Sequence, residues 1–174
     1  MRILAVIACT LMSNLGFAVN LDGVAHFEPQ KYLGTWYQLQ STNPFFQRGC
    51  KCAKAEYSFI DDRTIRVVNS CYESDGEVST VTGKAVIKNP EFPSRLSVSF
   101  SPFSFGNVNY VVTEVGENYE YAVIVSPGNA PVWILSREKT IPESTLSGIR
   151  LRLVNAGVRI SDLKDTSPLQ CPDF

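Results

Sequence analysis

Between Gly34 and Arg137 the chain falls into eight strand-length runs, each closed by turn residues, and that repetition leaves few folds open. The runs are Gly34 to Ser41, Cys52 to Ile60, Arg63 to Cys71, Val78 to Lys88, Leu96 to Ser101, Val108 to Val115, Tyr119 to Val125 and Val132 to Arg137. Asn43-Pro44, Asp61-Asp62, Asn89-Pro90, Pro93, Pro102, Gly116-Glu117-Asn118 and Ser126-Pro127-Gly128-Asn129 separate them. Parallel neighbours need crossovers of about a dozen residues or more, and these links are mostly shorter. The expectation is an antiparallel meander closed as a sandwich or barrel.

Alternation along the runs points to an interior. In Leu96-Ser97-Val98-Ser99-Phe100-Ser101 one face is apolar and the other small and polar, and Val81-Thr82-Gly83-Lys84-Ala85 alternates similarly. A closed eight-stranded sheet encloses just enough room for side chains or one small ligand. Gly83 and Ala85, on the inward parity, are expected to leave space. Trp133, Leu135 and Arg137 also share a parity, so an aromatic, an apolar and a cationic group face one way.

Before the first run, Phe27 to Tyr37 reads as a turn feeding an aromatic strand. Pro29 pre-sets φ, Lys31 to Leu33 complete one tight helical turn, and Gly34 permits a conformation that other residues resist. Trp36 is thereby placed at the start of the first strand. After the last run comes one amphipathic helix, opened by Pro142 and Glu143, striped by Leu146, Ile149, Leu153 and Val154, and closed by Gly157. Its stripe is expected to pack on the sheet. Val158 to Leu163 is read as a short last strand, and Gln170-Cys171-Pro172 as a tail stapled to the wall.

At 174 residues, 44% hydrophobic and 19% charged, the composition is that of one domain with a sizeable core. The formal net charge is −1 and no basic run occurs, so there is no electrostatic footprint for nucleic acid or for an anionic membrane surface. Residues 1–18 read as a secretory signal: Arg2, an apolar run from Ile3 to Met12, and small residues in Gly16-Phe17-Ala18. Polar Ser13, Asn14 and Asn20 keep the segment short of the ~20 apolar residues a bilayer needs. The domain is then 19–174. Val6-Ile7-Ala8-Cys9 is a competing lipoprotein box that would anchor the chain by lipid on Cys9, although the apolar run before it is shorter than the usual ~7–15 residues.

With Cys9 removed, Cys50, Cys52, Cys71 and Cys171 form an even set in an oxidising compartment, which predicts two disulfides. A metal site is not expected, because Cys50-x-Cys52 lacks the usual two-residue gap and His26 is the only histidine. Read as alternating neighbours on an extended strand, Cys50 and Cys52 are expected to point oppositely and so not to bond each other easily. Two crossed pairings remain, of which Cys50 with Cys71 and Cys52 with Cys171 is preferred.

Several short motifs occur in order along nearly the whole mature chain. They are Tyr32-Leu33-Gly34-Thr35-Trp36-Tyr37, Cys52-x-x-Ala55-x-Tyr57-Ser58, Ile65-x-Val67-x-Asn69, Leu96-x-Val98-x-Phe100, Trp133-Ile134-Leu135-Ser136-Arg137, the following helix and Cys171-Pro172. In this combination the chain resembles the lipocalin family, in its bacterial outer-membrane lipocalin and apolipoprotein D-like branch. The resemblance implies an all-β fold, an eight-stranded antiparallel up-and-down β-barrel with one C-terminal α-helix on its wall. It gives Gly34, Trp36 and Arg137 structural roles, with Trp36 at the closed end and Arg137 packed across its indole. The family's Thr-Asp motif at the end of the sixth strand is met only by Thr113-Glu114.

The same resemblance carries Tyr57, Asn69 and Trp133 over as pocket-lining residues, with Phe100 and Tyr110 as neighbours. An inward Asn69 amide would cost about 1–3 kcal/mol if buried unpaired, so a ligand group, a water or Tyr57 must meet it. The implied function is binding and transport or storage of a small hydrophobic molecule such as a fatty acid, lysophospholipid or sterol, without a cofactor. The implied location is secreted or periplasmic. An enzyme acting on a lipid or isoprenoid is an alternative, but the cysteines look committed to disulfides and His26 precedes the barrel. A stapled scaffold for protein interaction is another. Phe45-Phe46, with Phe103 and Phe105 in the Pro102 to Gly106 run, place aromatics at turns, where a lip could meet a membrane or a second subunit; monomer and homodimer both remain open.

Overall fold

The computed structural model describes residues 20–42, 44–101, 106–128, 131–166 and 170–173. The signal segment, Cys9, Phe103 and Phe105 lie outside them. A four-residue helix, α1 (Pro29–Tyr32), has Pro29 in its first turn and ends at extended Leu33, after which Gly34 takes φ +90°. An L side chain is strained at that angle, so the glycine is what lets the chain turn from α1 into β1 (Gly34–Ser41).

Seven more strands complete the barrel: β2 (Cys50–Asp61), β3 (Thr64–Glu73), β4 (Val78–Ile87), β5 (Arg95–Ser99), β6 (Tyr110–Val115), β7 (Tyr121–Val125) and β8 (Val132–Ser136). Each pairs antiparallel with the next, and β1 pairs with both β8 and β2, which closes the sheet. Closure removes the exposed edges that an open meander would present. The turns β2–β3, β4–β5, β6–β7 and the entry to β1 lie at one end. The loops β1–β2, β3–β4, β5–β6 and β7–β8 lie at the other.

Closure is incomplete at one seam. β1 pairs with β2 only from Gly34 to Tyr37, opposite Lys54 to Tyr57. Further along, Gln40 and Ser41 pair instead with a two-residue strand, β9 (Lys164–Asp165), from the C-terminal tail.

Two cores result from strand alternation. Trp36, Ile65, Val67, Ala85, Leu96, Val112 and Ile124 fill the barrel interior. Tyr121, Val123, Val125, Val132 and Ile134 face outward and pack against Leu146, Ile149 and Leu153 of α2 (Glu143–Asn155). Strands β7 and β8 are buried on both faces, which is why they read as continuous apolar runs. The expected fourth stripe residue, Val154, is instead 51% exposed, because one helix rotation past Leu153 carries it off the buried arc.

The short strand expected over Val158 to Leu163 is absent, and β9 follows it. Gly157 (φ +78°) reverses the chain, and the Val158 amide donates to the Leu153 carbonyl at 2.9 Å. Val158, Ile160 and Leu163 then pack against the helix–barrel layer. Their spacing serves packing rather than pairing.

Cys50 bonds Cys71 and Cys52 bonds Cys171. Residues two apart on a regular strand share a face, so strand geometry by itself would not send these thiols to different partners. A bulge in the β2–β3 pairing between Cys50 and Cys52 separates them.

Candidate functional site

The closed end is built on Trp36. Its indole Nε1 donates to the Tyr32 carbonyl at 2.8 Å, and the Arg137 guanidinium lies 3.8 Å from the ring centroid. Arg137 also donates to the Thr35 carbonyl at 2.8 Å and to the Lys31 carbonyl at 2.6 Å, tying the end of β8 to the α1–β1 turn. A cation–π contact and two charge-assisted hydrogen bonds converge on one side chain. Phe27, Tyr32 and Tyr119 stack behind it, and the Tyr119 hydroxyl accepts from the Glu28 amide at 2.8 Å.

Above this plug stand three phenols. Tyr110 lies 2.7 Å from the Tyr32 hydroxyl and 3.0 Å from that of Tyr57. Burial pushes the Tyr57 phenol up to about 12 and drives Tyr32 and Tyr110 upward too, because a phenolate there would lack water. All three are neutral at physiological pH and form a fixed polar floor.

Inward-facing residues change character between floor and mouth. Trp36, Ile65, Ala85 and Leu96 are fully buried. Nearer the mouth, Ala55, Asn69, Val98, Tyr110 and Trp133 are only half-buried, and inward Val81 is 46% exposed. A side chain facing into a closed barrel keeps accessible surface only where empty space reaches it. The upper half of the barrel therefore keeps accessible inner surface toward the mouth.

The space does not lie where Gly83 and Ala85 pointed. Ala85 is fully packed, and a Cβ on Gly83 would stand 2.6 Å from the Phe100 ring. Phe100, just beyond β5, has folded over the bare backbone of Gly83 and remains 41% exposed on its other side. The glycine's missing side chain seats an aromatic instead of opening a void.

Asn69, paired with Ala55 on β2 and Val81 on β4, lies on the inward parity, and its Oδ1 is packed away from solvent without a hydrogen-bond partner among the described residues. Tyr57 was one candidate to meet it but is hydrogen-bonded to Tyr110. Across the cup Trp133 stacks at 6.2 Å on Tyr110. Its Nε1 donates to Gln47 Oε1, Gln47 Nε2 donates to Gln38 Oε1, and Gln38 Nε2 donates to Ser41 Oγ, each at 3.1 Å. Sequence reasoning missed Gln38 and Gln47. Gln38 shares parity with Trp36 and was legible as inward, whereas Gln47 sits in a short 3-10 turn (Phe45–Gln47) whose position only the folded loop sets.

At the rim Phe45 and Phe46 are 77% and 62% exposed and meet edge-to-face at 5.5 Å. Thr113-Glu114 sits on the helix side: buried Glu114 accepts from Arg152 at 3.1 and 2.5 Å and from the Tyr121 hydroxyl at 2.7 Å. This acid fastens α2 to the barrel and takes no part in the cup.

The family model for a lipocalin-like domain matches residues 27–168, from the aromatic turn through β9. The chain belongs to the lipocalin family. Among its lipocalin relatives, the outer membrane lipoprotein Blc of Vibrio cholerae is 36% identical over 150 residues, covering 84% of this chain and 86% of that one. Apolipoprotein D of Mus musculus is 30% identical over 156 residues, 86% and 81% of the two chains. Insecticyanin of the tobacco hornworm Manduca sexta has the same fold, with a TM-score of 0.65 at 20% identity over 91% of this chain and 87% of that one. Within this lipocalin, the plug of Trp36 and Arg137 and the cup bounded by Tyr57, Asn69, Tyr110 and Trp133 occupy opposite halves of one barrel.

Proposed function

We propose that this lipocalin binds one small hydrophobic molecule in the upper half of its cup and carries or stores it outside the cytoplasm. The observation that carries the reading is the accessible inward wall beneath the mouth, formed by Val81, Val98, Phe100 and Trp133, with the unpartnered Asn69 oxygen packed beside Val81. A buried acceptor without a donor is costly, so a water or a polar group on the ligand must meet it. Sixteen methylenes at ~0.8 kcal/mol each give about 13 kcal/mol gross, from which association removes at least ~4. That margin supports micromolar to nanomolar affinity with no covalent chemistry. Fatty acids, lysophospholipids and sterols all fit this description.

Tyr57, Asn69, Phe100, Tyr110 and Trp133 line the ligand, while Gly34, Trp36 and Arg137 hold the plug. No catalytic role is assigned: the four described cysteines are disulfide-bonded, leaving no activated thiol among the described residues, and the buried phenols are held neutral. Both disulfides, and relatives named as an outer membrane lipoprotein and an apolipoprotein, support a secreted or periplasmic location after removal of residues 1–18. Lipid attachment at Cys9 would place the same domain on a membrane. On the membrane-contact reading the exposed Phe45-Phe46 pair supplies the lip; Phe103 and Phe105, assigned to it from the sequence, lie outside the described residues.

The test is titration of the mature protein with a fluorescent fatty acid, reading quenching of Trp133. Saturable binding with one site per chain is expected. Asn69→Leu should raise the stability of the ligand-free protein by about 1 kcal/mol, since it removes an unpaired acceptor. A barrel that takes up no ligand, in either protein, would instead be a scaffold filled by its own side chains.

A further inference from the structure

At the seam between β1 and β2 lies a chamber of about 540 Å³, partly open to solvent and bordered at the edge of the cup by Gln38, Ser41 and Gln47. Gln38 and Ser41, which line it, stand opposite Leu135 and Trp133 and so face inward. Cys52 and Tyr72, which also line it, pair with one another on the parity opposite to Ala55–Asn69 and so face outward. A space bounded by both faces of the sheet passes through the wall. Backbone pairing between β1 and β2 stops at Tyr37 and Lys54, so only side chains part the chamber from the cup there. Those side chains are the Gln47–Gln38–Ser41 amide chain that ends on Trp133.

The two compartments differ in chemistry. The cup is lined mainly by apolar and aromatic side chains around Asn69 and the neutral phenols, whereas the chamber is bordered by amide and hydroxyl residues and by Lys51 and Lys164. Neither lysine has a carboxylate partner among the described residues. Asp165, the one acid on the chamber wall, is bound by Gln40 and lies 3.5 Å from Arg150. The uncompensated charge is positive. Thr166 and Gln170 also border the chamber, Thr166 through its amide on the Leu39 carbonyl at 2.9 Å and Gln170 beside the Cys52–Cys171 bond.

We propose that this chamber is a lateral port that takes the anionic head group, phosphate or carboxylate, of a single-chain amphiphile whose hydrocarbon lies in the cup. The proposal rests on the carrier reading and deepens it: a dry cup beside a wet cationic chamber matches a molecule with one greasy end and one charged end. Lys51 on β2 and Lys164 on β9 pair with the head across the seam, and Gln38 and Gln47 supply amide donors.

Three probes separate the terms: monooleoylglycerol phosphate, uncharged monooleoylglycerol, and glycerol phosphate without a chain. They are titrated by calorimetry into the mature protein and into the double variant Lys51→Ala, Lys164→Ala. Both lysines are exposed, so the variant keeps its fold. The wild type should bind the phosphate lipid at least about tenfold tighter than the neutral lipid, as expected for hydrogen bonds to a charged group. The double variant should lose that preference and bind the neutral lipid unchanged.

A preference that survives the double substitution, or is absent from the wild type, overturns the port while neutral-lipid binding still upholds the carrier. Glycerol phosphate binding as tightly as the phosphate lipid overturns the amphiphile and makes the chamber a site for free phosphate. Failure of the wild type to bind either lipid overturns both readings.

Discussion

Arg137 is the residue on which the barrel's closed end depends, since it covers the Trp36 indole and bonds one carbonyl in α1, that of Lys31, and one at the start of β1, that of Thr35. Arg137→Ala should lower unfolding free energy by about 2–4 kcal/mol, read by urea denaturation, and Lys should recover only part of it because an ammonium cannot fork to both carbonyls. Tyr57 makes a prediction of opposite kind. Its phenol is neutral in the fold up to about pH 12 but ionises near 10 in an unfolded chain. The stabilisation it gives is thus full below pH 10 and is lost as pH rises from about 10 through 12. Spectrophotometric titration should show tyrosinate forming late, coupled to unfolding, and Tyr57→Phe should remove one such late step. The plug was readable through the resemblance to the lipocalin family, since Gly-x-Trp by itself is a common pattern and nothing local ties it to an arginine far along the chain. The Tyr32–Tyr110–Tyr57 floor was not, because three phenols meet only when strands far apart in sequence curl onto one axis.

At the scale of elements, α2 is held by more than its apolar stripe. Arg152 from its last turn reaches Glu114, itself 4% exposed and bonded to the Tyr121 hydroxyl. Arg152→Ala should cost about 1–3 kcal/mol, discounted because the arginine end is partly in water, and should loosen α2 first. Hydrogen exchange should show the amides from Glu143 to Asn155 losing protection while those of β2 and β3 keep theirs. The departure from a Thr-Asp motif at Thr113-Glu114 was visible in the chain; that the longer acid reaches a helix arginine was not. Likewise Val158 and Ile160 are spaced as the covered residues of a strand would be, with Leu163 off that parity, yet all three pack against the helix–barrel layer. Alternation records which side chains are covered, and it does not say whether a strand or a helix covers them.

For the whole molecule, the decisive link is Cys52–Cys171, which spans 119 residues and fixes the tail across the seam, against 21 for Cys50–Cys71. In the chain-entropy view the longer loop contributes more, so Cys171→Ser should lower stability by about 2–5 kcal/mol and exceed the cost of Cys71→Ser. Thermal unfolding of both variants, with limited proteolysis of the tail, checks the order.

The chain alone determined the meander and an inward wall with Asn69, Phe100 and Trp133 on it, because turn residues and side-chain parity are local properties that survive any packing; the plug and the place of Tyr57 were legible only through the resemblance to the lipocalin family. Tertiary structure alone decided how much of the interior stays empty, since Phe100 closing over Gly83 is a contact between strands. It also decided that β1 and β2 part beyond Tyr37. The bulge between Gln38 and Gln40 turns Gln40 outward to Arg150 and Ser41 inward to Trp133, shifting the parity that a count from Trp36 would assign. Such slips are set by the partners on either side, and no single run of residues contains them.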